Sequence, residues 1–125
     1  TQARVIVVDD NRLIREIAND ALAGQVRLEC CVDGEAALAA LDRESADLVI
    51  SDLNMPGISG VELLERVRRE HPGTEFVLLT GNATVESAIG ALRLGAADYL
   101  VKPVQPEILS LIVERLLASG AVVQA

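Results

Sequence analysis

The sequence predicts an α/β domain in which five parallel strands form one sheet with helices on both faces. Short runs rich in Val, Ile and Leu alternate five times with longer segments whose apolar residues recur at helical spacing. Half of the residues are apolar, yet the only aromatic residues are one Phe and one Tyr. The core must therefore be built from aliphatic side chains, as is typical of a parallel sheet covered by helices. A chain of 125 residues fits one compact domain.

The first β/α unit begins with the uninterrupted apolar run Val5–Val8. Such a run is typical of a strand that is buried on both faces. Apolar residues at helical spacing then predict a helix over Arg12–Ala23, which Asn11 is expected to cap and Gly24 to end.

The second and third units follow the same order. The second strand is predicted over Val26–Val32, and the Ala-rich stretch Glu35–Leu41 is predicted to be helical. The third strand is predicted at Leu48–Ile50. After a loop, Ser59 and Glu62 have the spacing of a capping box and predict the start of the third helix.

The fourth and fifth units complete the alternation. The fourth strand is predicted over Phe76–Leu79, and the helix after it places apolar residues at i, i+3, i+4 and i+7 from Val85 before ending at Gly95. The fifth strand is predicted over Tyr99–Val101 and the last helix over Pro106–Leu117. Parallel strands in this order require right-handed crossovers, which place helices on both faces of the sheet.

Composition and charge argue against several classes of protein. The net charge of −8 argues against a surface that binds nucleic acid and against attraction to anionic lipid. No apolar run approaches the length of a membrane span. Cys30 and Cys31 are adjacent and cannot join distant parts of the fold, so we expect a reducing, cytoplasmic compartment.

Polar side chains follow four of the five predicted strands. Asp9 and Asp10 follow the first strand, Asp52 the third, Thr80 the fourth and Lys102 the fifth. Open parallel sheets bind ligands beyond the carboxyl ends of their strands, where the strand order reverses. If the order is 2-1-3-4-5, the first and third strands are neighbours and the three carboxylates meet there. Such an oxygen-rich cluster suits a hard divalent cation such as Mg²⁺.

Four motifs in the chain resemble the response regulator receiver domain. They are VVDDN, DLNMPG, LLTG and DYLVKP, in that order and at the ends of the expected strands. Each motif alone is weak, whereas the four together are specific and span the chain from Val5 to about Leu117. The resemblance implies a flavodoxin-like (βα)5 fold, a doubly wound parallel sheet of five strands in the order 2-1-3-4-5. We expect the receiver domain to occupy residues 1–118 and residues 119–125 to form a C-terminal tail or the start of a linker.

The resemblance also implies a role for each site residue. Asp52 would accept a phosphoryl group from a sensor histidine kinase or a histidine phosphotransfer protein. Mg²⁺ would be held directly by Asp10, mainly through water by Asp9, and also by Asp52 and the backbone carbonyl of Asn54. Lys102 would stabilise the phosphoryl group. An aspartate carboxylate is already ionised at neutral pH, so this nucleophile needs shielding from the phosphoryl charge rather than a general base.

A switch follows from the same resemblance. The Thr80 hydroxyl would donate to a phosphoryl oxygen, beside which Gly81 has no side chain to block it, and Tyr99 would rotate inward behind Thr80. The remodelled surface of helix 4, strand 5 and helix 5 would then control an output domain or target protein, or form part of a homodimer. A cis peptide bond is expected at Lys102-Pro103. The domain would act as a switch rather than an enzyme, although it would phosphorylate itself from a phosphodonor with Mg²⁺ and dephosphorylate itself.

Other classes of protein explain the residues less well. A Mg²⁺-dependent aspartyl-phosphate phosphohydrolase of the haloacid dehalogenase type would carry its nucleophile after the first strand in an Asp-x-Asp pattern. Here Asp52 follows the third strand and Asn54 stands two residues later. An FMN-binding flavodoxin would have a Ser/Thr/Gly-rich loop where this chain has Asp9 and Asp10. The simplest alternative, in which the aspartate pair is only a solvated turn and a helix cap, leaves Asp52 and Lys102 unexplained.

Overall fold

A computed structural model describes the backbone of residues 2–81 and 84–124, and the side chains of these residues except Val85 and residues 119–124. The strands and helices alternate as predicted. The strands are β1 (Arg4–Val8), β2 (Arg27–Cys31), β3 (Leu48–Asp52), β4 (Glu75–Thr80) and β5 (Asp98–Val101). The helices are α1 (Arg12–Leu22), α2 (Gly34–Arg43), α3 (Gly60–Glu70), α4 (Val85–Arg93) and α5 (Pro106–Gln124). None of the helices among the described residues combines the length and the apolar character needed to cross a membrane.

All five strands are parallel and lie in the order β2-β1-β3-β4-β5, which confirms the predicted fold class and strand order. The order reverses at β1, so the carboxyl ends of β1 and β3 are neighbours. In the register of the sheet, Val8 of β1 lies between Cys31 of β2 and Ser51 of β3. The residues that follow Val8 are therefore placed beside Asp52, the last residue of β3.

Two aliphatic cores lie on opposite faces of the sheet, because successive strand residues point to opposite sides. Ile6 and Val8 face the core formed with α2, α3 and α4, whereas Val5 and Val7 face the core formed with α1 and α5. Phe76 is the aromatic residue of the first core. Each fully buried aliphatic side chain contributes about 1.5–3 kcal/mol through its removal from water.

The helix ends follow the predicted signals. The side chain of Asn11 accepts a hydrogen bond from the backbone of Leu13 and caps α1. The capping box of Ser59 and Glu62 opens α3, as predicted. Gly24 has a φ of 81°, a left-handed conformation in which a residue with a Cβ is strained, and it lies just after α1.

Several elements, such as β2 and α2, begin or end one or two residues away from their predicted bounds, and the following features differ further. β3 continues through Asp52 and β4 through Thr80, because these polar residues still pair with their neighbours in the sheet. The spacing of apolar residues locates α4 but not its buried side, since Ala91 is buried while Ile89 and Leu92 are exposed. The backbone of α5 is helical through Gln124, and the division into residues 1–118 and 119–125 stays a prediction.

Candidate functional site

Three carboxylates meet at the carboxyl ends of β1 and β3. One oxygen from each of Asp9, Asp10 and Asp52 lies within 4.8 Å of the others. The parallel register produces this arrangement, since the β1–α1 turn is placed beside the end of β3. The structure thus brings together the three acids that the sequence placed on two separate strands.

Lys102 adds a cation to this cluster. Its Nζ lies 3.0 Å from Asp9 Oδ2 and 3.2 Å from Asp52 Oδ1. The backbone N–H of Lys102 donates to the carbonyl of Thr80, and the Lys102-Pro103 peptide bond is cis. We call Asp9, Asp10, Asp52 and Lys102 the acidic site. Three carboxylates and one ammonium leave a formal charge of −2 (−3 + 1), which equals the charge that one divalent cation would neutralise.

Asp9 is the inner member of the acidic site. Its side chain is fully buried, and Oδ1 accepts a hydrogen bond from the backbone N–H of Asn11 at 2.8 Å. Its own backbone N–H donates to the carbonyl of Cys31 at 3.1 Å. Burial raises the pKa of Asp9 above its ordinary value, even though the contacts with Asn11 and Lys102 oppose that rise. The folded chain therefore holds this charge at a cost.

The pKa of Lys102 moves in the direction expected for a paired cation. Partial burial alone would lower this pKa, but hydrogen bonding and attraction from Asp9 and Asp52 outweigh burial and raise it above the ordinary value. The ammonium is consequently charged throughout the physiological pH range and offsets part of the repulsion among the carboxylates.

Asp10 and Asp52 differ from Asp9 in their access to solvent. Asp10 is exposed, and Asp52 is 7% exposed at the end of β3. The cluster is hence closed on the side of Asp9 and open on the side of Asp10. Carboxylate oxygens with an open side suit Mg²⁺, which takes one or two carboxylates and keeps several waters. The residues present fit this ion.

Gly60 is a further residue of the site region that the sequence reasoning did not identify. A Cβ built on Gly60 would lie 2.2 Å from the backbone oxygen of Asp52 and 2.8 Å from the Cα of Leu53. Such distances are too short for any side chain, so glycine lets the start of α3 approach the backbone of Asp52. The only signal in the sequence is a glycine directly after the cap residue Ser59.

The remaining predicted site residues lie at or just after the carboxyl ends of β3 and β4. Thr80 is fully buried at the end of β4, where it pairs in register with Val101. Leaving aside its own chain neighbours, a Cβ built on Gly81 would meet no atom of the described residues within 4 Å. Asn54 is exposed in the loop after β3, and the part of its backbone carbonyl in metal binding stays a prediction.

Tyr99 connects β5 to the start of α4. Its ring packs against the core on the α2, α3 and α4 side, and its hydroxyl lies 2.9 Å from Ser87 Oγ. Ser87 in turn forms the capping box of α4 with Thr84. The sequence reasoning did not identify this contact, although the Thr-x-x-Ser spacing at the start of the helix was its available signal.

Beside Tyr99 lies a surface with exposed apolar side chains, which we call the α4–β5–α5 face. An ion pair of 2.6 Å between Arg115 and Asp98 crosses it from α5 to β5. Its exposed apolar members are Ile89, Leu92, Val101, Ile108 and Leu111.

Comparison with known sequences agrees with the motifs. Residues 5–114 match the family described as "Response regulator receiver domain". The chain is 43% identical over 114 residues to "Response regulator protein FleR" of Pseudomonas aeruginosa, which covers 90% of this chain and 24% of that protein. It is 37% identical over 113 residues to "DNA-binding transcriptional regulator NtrC" of Salmonella typhimurium, covering 89% of this chain and 24% of that one. The chain thus spans about a quarter of the length of these two relatives.

Comparison with solved structures gives the same fold. The "BeF3 Activated DrrB Receiver Domain" superposes with a TM-score of 0.88 at 32% identity, covering 94% of this chain and 99% of that chain. The chemotaxis response regulator CheY4 of Vibrio cholerae superposes with a TM-score of 0.86 at 34% identity, covering 93% of this chain and 99% of that one.

Proposed function

The chain belongs to the response regulator receiver family, and we propose that it is a phosphorylation-activated switch whose phosphoacceptor is Asp52. One observation carries the proposal. Asp52 lies within one cluster with Asp9 and Asp10 and within 3.2 Å of the Lys102 ammonium, as the family resemblance requires. The alternative of a phosphohydrolase of the haloacid dehalogenase type has less support, because Asp52 ends β3 rather than the first strand.

The proposed reaction is a phosphoryl transfer to the Asp52 carboxylate. A carboxylate oxygen attacks the phosphorus atom of a phosphohistidine or a small phosphodonor. The new O–P bond forms as the P–N bond of phosphohistidine, or the P–O bond of the small donor, breaks, and the bonding electrons stay with the leaving atom. An ionised carboxylate has no proton to lose, so the site supplies position and charge rather than a general base.

Each charged residue has a part in this proposal. Asp10, Asp9, Asp52 and the backbone carbonyl of Asn54 would hold Mg²⁺. When bound, the ion would neutralise charge on the phosphoryl oxygens. Lys102 already contacts Asp9 and Asp52, so its ammonium is within reach of a group attached to Asp52.

The proposed switch runs from the acidic site to the α4–β5–α5 face. The Thr80 hydroxyl would donate to a phosphoryl oxygen, and Gly81 beside it has no side chain to block that oxygen. Thr80 pairs with Val101 of the face, and the Tyr99 hydroxyl is hydrogen-bonded to Ser87 at the start of α4. Movement of Thr80 or Tyr99 would therefore change the position of residues in the face. Phosphorylation need only favour one of two existing arrangements by a few kcal/mol.

The partners follow from the two regions. The acidic site would receive its phosphoryl group from a sensor histidine kinase or a histidine phosphotransfer protein. The α4–β5–α5 face would bind an output domain, a target protein or a second copy of the chain. We propose no direct binding to nucleic acid or membrane by this domain, given its charge of −8, and a cytoplasmic location, given its adjacent cysteines.

Acetyl phosphate tests this function without a kinase. We expect the mass of the wild-type chain to rise by one phosphoryl group in the presence of Mg²⁺, and the Asp52→Asn variant to gain none. Asp20→Asn, which removes an exposed carboxylate from α1, is the matched control and should be labelled like the wild type. Labelling that persists in Asp52→Asn, or proceeds equally well in EDTA, would overturn the assignment.

A further inference from the structure

Arg15 contacts the backbone of the acidic site from α1. Its Nη1 donates a hydrogen bond of 2.7 Å to the main-chain carbonyl of Asp9. Arg12, three residues earlier on the same helix, behaves differently. It is exposed, and its Nε donates to Glu16 at 2.9 Å. The half-buried Arg15 thus extends back to the end of β1, whereas Arg12 stays on the helix surface.

The carbonyl that Arg15 holds belongs to the peptide unit between Asp9 and Asp10. A peptide unit is planar, so fixing its carbonyl oxygen also fixes the direction in which the next residue leaves. The other polar groups of Asp9 have partners of their own, since its N–H bonds to Cys31 and its Oδ1 to Asn11. The hydrogen bond from Arg15 therefore restrains the one side of Asp9 that leads to Asp10.

We propose that Arg15 is a positioning residue, which orients the Asp10 carboxylate for Mg²⁺ by holding the Asp9 carbonyl. This inference rests on the proposed function, because it assigns Arg15 a part in the same acidic site. Partners that orient metal ligands are worth about 10–100-fold in metal affinity in other proteins. Asp10 is the exposed acid of the cluster, so its position depends strongly on the backbone that carries it.

The charge of Arg15 and its hydrogen bond have opposite effects on cation binding. A guanidinium near the cluster repels a second cation, so removal of its charge alone would strengthen Mg²⁺ binding. Loss of the hydrogen bond would instead release the Asp9–Asp10 peptide and weaken Mg²⁺ binding. The sign of the change in affinity consequently distinguishes positioning from a simple charge effect.

The test compares the Mg²⁺ dissociation constants of Arg15→Met and the matched control Arg12→Met, measured by titration calorimetry on the full chain. Met keeps most of the aliphatic length but neither the charge nor the donor. We expect Arg15→Met to raise the dissociation constant about tenfold, and Arg12→Met to leave it unchanged or slightly lower. Arg15→Lys keeps a charged donor and should recover most of the affinity.

Three outcomes would contradict the inference. If the wild type binds Mg²⁺ and Arg15→Met has an unchanged or lower dissociation constant, the positioning role of Arg15 is overturned. The proposed function is not affected by that result. Absence of Mg²⁺ binding by the wild type overturns the proposed function and this inference with it. If Arg15→Met fails to fold, the wild-type guanidinium NMR signals decide: those of Arg15 should shift when Mg²⁺ saturates the site while those of Arg12 do not, and an unshifted Arg15 signal overturns the inference.

Discussion

The acidic site and the α4–β5–α5 face differ in the burial and the contacts of their side chains. In the acidic site, Asp9 is fully buried and its carboxylate contacts Asn11 and Lys102. On the face, Leu92 and Leu111 are 52% and 60% exposed. Phosphoryl transfer needs atoms in fixed positions, whereas a surface that changes its partner needs side chains that are not locked in a core. In the proposed switch, phosphoryl transfer and output therefore belong to separate parts of the fold.

β4 and β5 connect the two regions over a short distance. Thr80, at the end of β4, pairs with Val101 of the face, and Leu78 pairs with Tyr99. Tyr99 in turn contacts Ser87 at the start of α4. The backbone N–H of Lys102 in the acidic site also donates to the Thr80 carbonyl, so strand pairing and one side-chain hydrogen bond lie between the acidic site and the face.

Lys102→Met should have the largest effect, and should fall on the chemistry. The substitution removes the ammonium that contacts both Asp9 and Asp52 while it keeps most of the aliphatic side chain. We expect the rate of phosphoryl incorporation from acetyl phosphate to fall by about 10²–10³, as for loss of one charge-stabilising donor in other enzymes. A mass-spectrometric time course measures this rate. Arg93→Met, at an exposed cation on α4, serves as the control, and equal rates in both variants would contradict the role of Lys102.

Leu92→Glu should affect the face and spare the chemistry. Loss of one buried leucine at an interface is worth about 1.5–3 kcal/mol, or more than about tenfold in association. We expect weaker self-association of the beryllofluoride-bound protein in sedimentation equilibrium, with normal phosphoryl incorporation. Leu13→Glu, which changes a similarly exposed leucine on α1, should leave association unchanged. If both variants weaken self-association to the same extent, the face does not differ from the rest of the surface in this respect.

Asp9→Asn should stabilise the metal-free fold. Burial raises the pKa of Asp9, so the folded state binds its proton more tightly than the unfolded state does. The contribution of this group to the unfolding free energy therefore falls as the pH rises from the ordinary aspartate pKa of 3.8 through the higher folded pKa, and stays reduced at neutral pH.

The Asp9→Asn substitution removes that cost, and we expect a gain of about 1 kcal/mol in urea unfolding at neutral pH without Mg²⁺. The advantage should shrink at acidic pH, where wild-type Asp9 is protonated, and in saturating Mg²⁺, which stabilises the wild type by binding. Asp20→Asn should change stability by less than about 0.5 kcal/mol. A lower stability of Asp9→Asn at neutral pH would show that the ion pair with Lys102 outweighs burial.

Ser87→Ala should have the smallest effect. It removes the hydrogen-bond partner of the Tyr99 hydroxyl and one member of the capping box of α4. Since water can replace part of a half-buried hydrogen bond, we expect a loss of about 0.5 kcal/mol in unfolding free energy, with a change in the NMR signals of the Tyr99 ring. Ser110→Ala, which loses an exposed hydrogen bond with Gln25, should leave the ring signals unchanged. Unchanged ring signals in Ser87→Ala would remove Ser87 from the path between the two regions.

The sequence predicts the order of the elements well because the apolar pattern of each strand and helix depends on its own residues. The acidic cluster is predictable for a similar reason, since Asp9 and Asp10 follow β1, Asp52 ends β3, and the carboxyl ends of these strands share one edge. The resemblance to the receiver family supplied the order of the strands, which the structure confirms.

The remaining features depend on how separate elements pack. Helical spacing cannot say that α4 buries Ala91 and exposes Leu92, because the neighbouring elements decide which side is covered. Adjacent aspartates in sequence do not reveal that Asp9 is buried and Asp10 exposed. The close approach at Gly60 and the reach of Arg15 to Asp9 likewise depend on distances between elements that spacing alone does not contain.

In the proposed switch, a charge change at Asp52 alters the α4–β5–α5 face. The most direct measurement is the amide NMR spectrum of the full chain before and after addition of beryllofluoride with Mg²⁺. We expect signals to shift near Asp52, at Thr80 and along the face at Leu92 and Val101, while those of α2 stay in place. In Asp52→Asn the signals along the face should stay in place. Shifts confined to the acidic site of the wild type, with the face unchanged, would show that Asp52 is not coupled to the face.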